Sequence, residues 1–220
     1  MLRAHKHLTK KEIKKDPFLI FVAEAVDFME REWMKIGGIL LGTFVVIVAA
    51  VLIVNGTRKS DLNAYDSAMT AFYTSAPESI DLMTRYVDKH SGSPNATKVA
   101  LQLANYYFIQ KNYETAEKYY RQSIGKVSGD AIFGFNAYNG LGAILEERGD
   151  FDQAAKNYES FVQAFGESAF TEAMRFKAGK AYFLAGNKES AERNFQTILD
   201  SAIDSELKQE ARYYIELISS

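Results

Sequence analysis

The sequence predicts an all-α protein in which an N-terminal amphipathic helix and a single transmembrane helix precede an α-solenoid. Residues 36–54 form an uncharged apolar stretch, and a helix–turn–helix pattern recurs after it with periods of 38 and 37 residues. Beyond Asn55 no alternating run is long enough to require a β-strand. We expect a cytoplasmic basic tail with the amphipathic helix at 1–35, a transmembrane signal anchor at 36–54 and an extracytoplasmic repeat domain at 55–220.

The apolar stretch reads IGGILLGTFVVIVAAVLIV. At about 1.5 Å per residue a helix of this length is roughly 28 Å long, close to the hydrocarbon thickness of a bilayer. Eight basic residues precede it and only Arg58 and Lys59 follow closely, so the tail is expected inside and the rest of the chain outside. The basic region is too long for a cleavable signal peptide. Gly38 and Gly42 form a GxxxG pattern for close packing of a second helix, or are ordinary membrane-helix glycines.

Residues 17–35 have apolar side chains at three- and four-residue spacing, which predicts the amphipathic helix. These side chains are Phe18, Phe21, Val22, Ala25, Val26, Met29 and Trp33. Asp16 is the expected N-cap, and Pro17 is expected in the first turn. The helix is interpreted as an interfacial anchor or as a docking helix for another membrane protein.

Composition argues against several classes of function. The chain has no cysteine, which excludes disulfides, thiolate metal sites and cysteine nucleophiles. Beyond the span there are 18 basic and 22 acidic residues, so no basic surface is expected for nucleic acid. His90 is the only histidine outside the tail, and no metalloprotease, serine-hydrolase or P-loop motif occurs. We predict no enzyme, no cofactor, no metal site and no small-molecule substrate.

Two Asn-x-Thr sequences beyond the span have the spelling of glycosylation sites. They are Asn55-Gly56-Thr57 and Asn95-Ala96-Thr97. We interpret the first as a turn and the second as the start of a helix.

Three stretches superpose, beginning at Leu103, Leu141 and Ala178. Each has a small residue, a bulky residue three positions later, a turn, an alanine, and an aromatic residue four positions after the alanine. The three sets are Ala104, Tyr107, Lys111-Asn112, Ala116 and Tyr120; Gly142, Leu145, Gly149-Asp150, Ala154 and Tyr158; and Gly179, Tyr182, Gly186-Asn187, Ala191 and Phe195. The small residues are expected where the two helices of a repeat meet, and the aromatic residues are expected to fill the gaps between successive pairs.

This pattern resembles the tetratricopeptide repeat over about half of the chain, best from Gly140 to Tyr158 and from Gly179 to Phe195. The periods exceed the usual length of about 34 residues, so longer turns are expected at 127–131 and 165–170. The three good repeats lack the closing proline. The resemblance implies a degenerate first repeat, three good repeats and a capping helix at about 61–94, 97–130, 135–168, 172–204 and 205–218.

The layout of tail, signal anchor and repeat domain resembles the YfgM family of bacterial inner-membrane proteins. That family is known as an ancillary partner of the Sec translocon and of periplasmic chaperones. The resemblance implies a single-pass protein of the bacterial inner membrane, with a cytoplasmic N-terminus and a periplasmic C-terminal domain. Its expected partners are the bilayer and other proteins, namely translocon subunits, chaperones or subunits of another membrane complex.

The groove positions of the tetratricopeptide family, transferred to this sequence, lie on the first helix of each repeat. They are Lys98, Leu101, Asn105 and Phe108; Asn136, Asn139, Ala143 and Glu146; and Phe176, Lys180 and Phe183. Lysine and asparagine side chains there would bind an extended peptide or its terminal carboxylate, with phenylalanines as apolar anchors. The family's lysine–asparagine clamp for chaperone C-termini is not reproduced, because the matching positions hold Leu101 and Asn105.

Two hypotheses of function remain open from the sequence. The first is a membrane-anchored interaction module that recruits partners at a translocation or envelope-assembly machine. The second is a structural accessory subunit of a specific membrane complex, docked through its transmembrane helix and tail. A solenoid fold constrains the shape of the binding surface but does not identify the ligand.

Overall fold

A computed structural model describes residues 17–127, 129–201 and 205–220, which form nine helices and no β-strand. This confirms the predicted all-α fold class. The expected N-cap Asp16 and the basic residues from Arg3 to Lys15 lie outside the described residues. The helices are α1 (Pro17–Tyr73), α2 (Ser79–Lys89), α3 (Pro94–Ile109), α4 (Tyr113–Ile124), α5 (Ala131–Glu147), α6 (Phe151–Phe165), α7 (Thr171–Leu184), α8 (Lys188–Ser201) and α9 (Ser205–Ser219).

The chain divides into two compact units, with the boundary after Lys59. In the first unit α1 spans Pro17–Tyr73 and so includes the residues of the predicted amphipathic helix, and Trp33 is 65% exposed. Within the described residues, α1 is the one helix long and apolar enough to cross a membrane. An 18-residue window in its segment Gly37–Tyr73 has a mean hydropathy of 2.8, and none of that window is buried.

The predicted turn at Asn55-Gly56-Thr57 is wrong, because α1 continues through these residues. A single glycine inside a helix costs only about 1 kcal/mol relative to alanine, which the surrounding helical turns offset. The Thr57 hydroxyl also donates a hydrogen bond to the Val54 carbonyl at 2.9 Å, so its polar group is satisfied within the helix. By contrast, the predicted helix start at Asn95 is confirmed: α3 begins at Pro94, and the Ser93 hydroxyl accepts a hydrogen bond from the Asn95 N–H.

The second unit is a solenoid of helix pairs. The pairs α3–α4, α5–α6 and α7–α8 correspond to the three good repeats, and α9 packs on α8 and α7. Within these pairs the connections are short, at 110–112, 148–150 and 185–187. Between the pairs they are longer, at 125–130 and 166–170, which is where the sequence predicted longer turns.

Glycines let the helices of this unit approach aromatic rings closely. A Cβ placed on Gly142 would lie 2.2 Å from a ring carbon of Tyr158, and one on Gly179 would lie 2.8 Å from the Phe195 ring. Both contacts join the two helices of one repeat, as predicted. Gly140 makes the same contact with Tyr120 of the preceding repeat, also at 2.2 Å. These helix spacings therefore require the absence of a side chain.

One continuous hydrophobic core runs through the second unit. Its largest fully buried side chains include Tyr158, Phe161 and Phe195. At the C-terminal end Tyr214 of α9 stacks on Phe195, with the ring centroids 5.0 Å apart, and Ala211 is fully buried. The last helix thus covers apolar surface that α7 and α8 would otherwise expose to water.

Each short connection contains one residue with positive φ. Gly149 and Gly186 have φ values of +79° and +78°, and the corresponding residue of the preceding repeat is Lys111, with φ +57°. A glycine adopts this left-handed conformation without steric cost, whereas a residue with a Cβ does not. The connection between α3 and α4 is therefore strained relative to its two counterparts.

We predict that Lys111→Gly raises the free energy of unfolding by about 0.5–1 kcal/mol, because relief of the left-handed strain outweighs the added entropy of the unfolded chain. Denaturant unfolding of the full chain in detergent measures this. Gln110→Gly is the matched control: its φ is −75°, so glycine there should lower stability by about 0.5–1 kcal/mol. Destabilisation by both substitutions would contradict the strain.

Candidate protein-interaction surface

All eleven predicted groove residues lie on the first helices of the good repeats, α3, α5 and α7. Nine of them are half-buried, and we call these nine the A-helix surface. They are Lys98, Asn105, Phe108, Asn136, Asn139, Ala143, Glu146, Lys180 and Phe183. Partner binding by these nine residues stays a prediction.

Leu101 and Phe176 belong to the core instead, with exposures of 2% and 8%. Phe176 packs edge-on against Phe195 and Tyr214, at centroid distances of 5.7 and 5.9 Å. Their side chains therefore serve helix packing and offer a partner almost no surface. This corrects the expectation that both line a partner-binding groove.

The two lysines of the A-helix surface are held over aromatic rings. The Lys98 ammonium lies 5.6 Å from the centroid of Phe133 on α5, and that of Lys180 lies 5.7 Å from Phe176. Neither lysine forms an ion pair with any described residue. Their charges are oriented by the rings but not neutralised.

Two asparagines of this surface differ in their hydrogen bonding. The Asn105 Oδ1 accepts a hydrogen bond from the Tyr120 hydroxyl at 2.6 Å, and burial raises the pKa of Tyr120 to about 12, which keeps this donor protonated. The Oδ1 of Asn139 is buried and has no hydrogen-bond partner among the described residues. Asn105 therefore serves the fold, whereas Asn139 retains an unused acceptor.

The phenylalanines of the surface are fixed by neighbouring rings. Phe108 lies 5.6 Å from Tyr113, and Phe183 lies 5.5 Å from Tyr214 between ring centroids. The apolar positions of the surface are therefore preorganised, which lowers the entropy lost when a partner binds.

Near the end of α5, burial and the Glu146 carboxylate raise the pKa of the Tyr158 hydroxyl.

The second helices of the repeats carry their charges differently. Each of α2, α4, α6 and α8 has one basic residue paired with an acidic residue four positions earlier. The pairs are Arg85–Asp81, Arg121–Glu117, Lys156–Asp152 and Arg193–Glu189. The basic charges of these pairs are thus largely balanced within their own helices.

Glu117 also connects two repeats. It accepts a hydrogen bond from Arg121 at 2.7 Å on its own helix and another from Arg148 at the end of α5. Although desolvation raises the pKa of Glu117, these two guanidinium groups outweigh it and hold that pKa below the ordinary value of 4.5. The carboxylate therefore stabilises the contact between the second and third repeats.

A polar cluster around Asp61 joins the end of α1 to α2 and α3. Its carboxylate accepts hydrogen bonds from the Tyr86 hydroxyl at 2.6 Å and the Ser93 hydroxyl at 2.8 Å, and it lies 3.2 Å from Nδ1 of His90. The residue types match a serine-hydrolase triad, but Ser93 donates to the aspartate and not to the imidazole. The cluster therefore has the geometry of a structural junction.

Family comparisons agree with this architecture. Two tetratricopeptide-repeat models match the chain, over residues 95–160 and 139–206. The chain is a tetratricopeptide-repeat protein. Such repeats form protein–protein interaction modules, which assigns the second unit a general role in binding other proteins. No curated protein matches the chain.

Solved structures similar to this repeat protein share low sequence identity with it. MamA AMB-1 is 19% identical and aligns over 66% of this chain and 76% of its own, with a TM-score of 0.49. A kinesin light chain from Podosopora anserina, described as having nearly identical TPR-like repeats, is 13% identical to this chain. It aligns over 71% of this chain and 83% of its own, with a TM-score of 0.49. The MamA RS-1 ArsTM double mutant is 12% identical and aligns over 72% of this chain and 94% of its own, with a TM-score of 0.48.

In the first unit, the predicted helix-packing residues Gly38 and Gly42 lie on an open face. No described atom comes within 4 Å of a Cβ placed on either glycine. The structure therefore leaves room beside them but does not test whether a second helix packs there.

Sequence reasoning missed the residues that connect repeats through polar side chains. Besides Asp61 and Glu117, the Glu159 carboxylate accepts hydrogen bonds from the Tyr182 hydroxyl at 2.8 Å and from the Asn194 amide at 3.0 Å. The partners are 23 and 35 residues away in sequence. No local spacing indicates such pairs; the near-complete burial of Asn194 is apparent only from the structure.

We predict that Glu117→Gln lowers the free energy of unfolding by about 1–2 kcal/mol at neutral pH, because two charge-assisted hydrogen bonds are lost. Since the folded pKa of Glu117 is lowered, its contribution is complete above its ordinary pKa and disappears as the pH falls through the folded value. The difference from wild type should therefore shrink below about pH 4.

Denaturant unfolding across this pH range measures both effects. Glu189→Gln is the matched control, because the Glu189 side chain is 91% exposed and its pair with Arg193 stays within one helix. Its effect should stay within about 0.5 kcal/mol. Equal effects of the two substitutions would show that Glu117 does not stabilise the contact between repeats.

Proposed function

We propose that this chain is a membrane-anchored interaction module whose A-helix surface recruits other proteins to a translocation or envelope-assembly machine. One observation carries the proposal: α1 contains a wholly exposed apolar segment of membrane-spanning length, and the same helix ends within a tetratricopeptide-repeat unit. An exposed helix of this composition is stable in a bilayer and unfavourable in water. The apolar segment holds the interaction module at the membrane.

The composition of the A-helix surface favours a polar protein segment as its ligand. Lys98 and Lys180 have charges without acidic partners among the described residues. Phe108 and Phe183 add fixed apolar contacts beside them. Few polar groups among fixed apolar side chains are typical of sites that bind extended segments.

The distribution of basic residues along the sequence supports the proposed orientation. Eight lie in residues 1–35, before the apolar segment, and this excess is typical of the cytoplasmic side. The repeat unit then lies outside the cytoplasm, which for a bacterial inner-membrane protein is the periplasm. The resemblance in layout to the YfgM family favours translocon subunits or chaperones as the recruited proteins.

A separate observation favours a second function. The open face at Gly38 and Gly42 has room for a partner helix in the bilayer. A structural accessory subunit would dock through this face and the tail, and its A-helix surface would not be required for assembly.

Affinity purification from detergent-solubilised membranes, with a C-terminal tag and mass spectrometry, tests the proposal. We expect the triple variant Lys98→Ala, Asn136→Ala and Lys180→Ala to reduce partner recovery by about tenfold, as expected for loss of roughly 1.4 kcal/mol of binding free energy. The control is the triple variant Arg85→Ala, Lys156→Ala and Arg193→Ala, which removes three positive charges from the second helices, one more than the A-helix variant removes. It should retain the partners.

Circular dichroism of both variants confirms that the repeats remain folded. Full recovery of the same proteins with the A-helix variant would contradict recruitment by this surface. If Gly38→Leu with Gly42→Leu instead abolished recovery, the accessory-subunit function would be favoured.

A further inference from the structure

A small cavity lies at the junction between the second and third repeats, where the start of α3 faces the start of α5. Its volume is about 140 Å³. The residues around it that bear on its chemistry are Pro94, Thr97, Lys98, Lys126, Asp130 and Phe133. Only Lys98 among them belongs to the predicted groove positions.

Thr97, which lines the cavity, carries an unsatisfied hydroxyl. Thr97 is 7% exposed, its Oγ1 is buried, and this oxygen has no hydrogen-bond partner within residues 17–127, 129–201 and 205–220. Buried hydroxyl groups of folded proteins are normally paired, since an unpaired one loses its hydration without compensation. A ligand oxygen in the cavity would supply the missing acceptor.

Two lysines line the same cavity as Thr97. The ammonium of Lys98 is held over the Phe133 ring at 5.6 Å, and that of Lys126 donates a hydrogen bond to the Ser91 carbonyl. In the described part of the chain, neither lysine forms an ion pair. The cavity therefore combines one hydroxyl donor with two positive charges that no carboxylate neutralises.

Asp130, the one acidic residue among those lining the cavity, caps a helix. The Asp130 Oδ1 accepts hydrogen bonds from the Ile132 and Phe133 N–H groups at 3.0 and 3.2 Å, so it caps α5. The positive end of the helix dipole offsets much of its charge. The two lysines and this one aspartate give the cavity lining a net positive charge.

We infer that this cavity binds a carboxylate side chain, aspartate or glutamate, of the protein segment that the A-helix surface recruits. The inference rests on the proposed function. The Thr97 hydroxyl and the two ammonium groups would donate hydrogen bonds to the carboxylate oxygens. Lys98 and Lys126, which form no ion pair with a described residue, favour approach of an acidic segment.

Fluorescence polarisation of labelled peptides against the full chain in detergent tests this. The probe is a C-terminally amidated glycine–serine peptide with central glutamates, and its counterpart has glutamines at the same positions. We expect the glutamate peptide to bind and the glutamine peptide not to bind at low salt. Lys98→Gln, Lys126→Gln and Thr97→Val should each weaken binding by about fivefold.

Lys118→Gln is the matched control, because Lys118 also stands over an aromatic ring, that of Tyr119, but does not line the cavity. It should leave the affinity unchanged. Equal binding of the two peptides, or equal loss in Lys118→Gln and Lys98→Gln, would overturn the inference. An unchanged melting temperature in Thr97→Val shows that its loss of binding is local.

Two further probes distinguish a side-chain carboxylate from other anionic ligands. A glycine–serine peptide with a free C-terminus tests a terminal carboxylate, and inorganic phosphate tests a free anion. Binding of either one more tightly than the glutamate peptide would overturn the assignment to a side chain. If the Lys126→Gln chain still recovers its partners in the purification above, this inference fails while the proposed function stands, since Lys126 is outside the A-helix surface.

Discussion

Close contact between glycine backbone and aromatic rings sets the spacing of the helices in the repeat unit. Gly142 under Tyr158, Gly179 under Phe195 and Gly140 under Tyr120 leave no room for a methyl group. Because these contacts occur both within and between repeats, they fix the positions of α5 and α7 relative to their neighbours. The placement of the six A-helix-surface residues on α5 and α7 depends on them.

Polar side chains also favour a particular packing of the helices where repeats meet. Asp61, Glu117 and Glu159 each accept hydrogen bonds from more than one helix. A carboxylate that is satisfied from two helices at once favours one packing arrangement over others of similar apolar burial. Glu117 also pairs with the charges of Arg121 and Arg148, which are therefore less available to partners.

Much of the fold was predictable because the repeat pattern is local. Helix periodicity, the small residues and the aromatic residues four positions after each alanine indicated the good repeats and their longer connections. The turn expected at Asn55-Gly56-Thr57 failed because an asparagine–glycine pair marks a turn only where the flanking residues do not favour continued helix. Lys111 was placed in a turn, but its left-handed conformation is indicated only by alignment with Gly149 and Gly186.

The candidate site was predictable only in outline. The transferred groove positions all fall on the first helices of the repeats, yet Leu101 and Phe176 proved to be core residues, because burial depends on which neighbouring helix covers a position. The unpaired hydroxyl of Thr97 had no signal in the sequence. Long-range hydrogen bonds and cavities arise from packing, which periodicity alone does not specify.

A double-mutant cycle at Gly142 and Tyr158 tests the central claim most directly. Gly142→Ala alone should lower the free energy of unfolding by about 2–3 kcal/mol, because the added methyl group overlaps the Tyr158 ring. In the background of Tyr158→Leu, which removes that ring, the same substitution should cost at least about 1 kcal/mol less. Strictly additive effects would contradict the account, because they would show that the glycine and the ring do not set the helix spacing together.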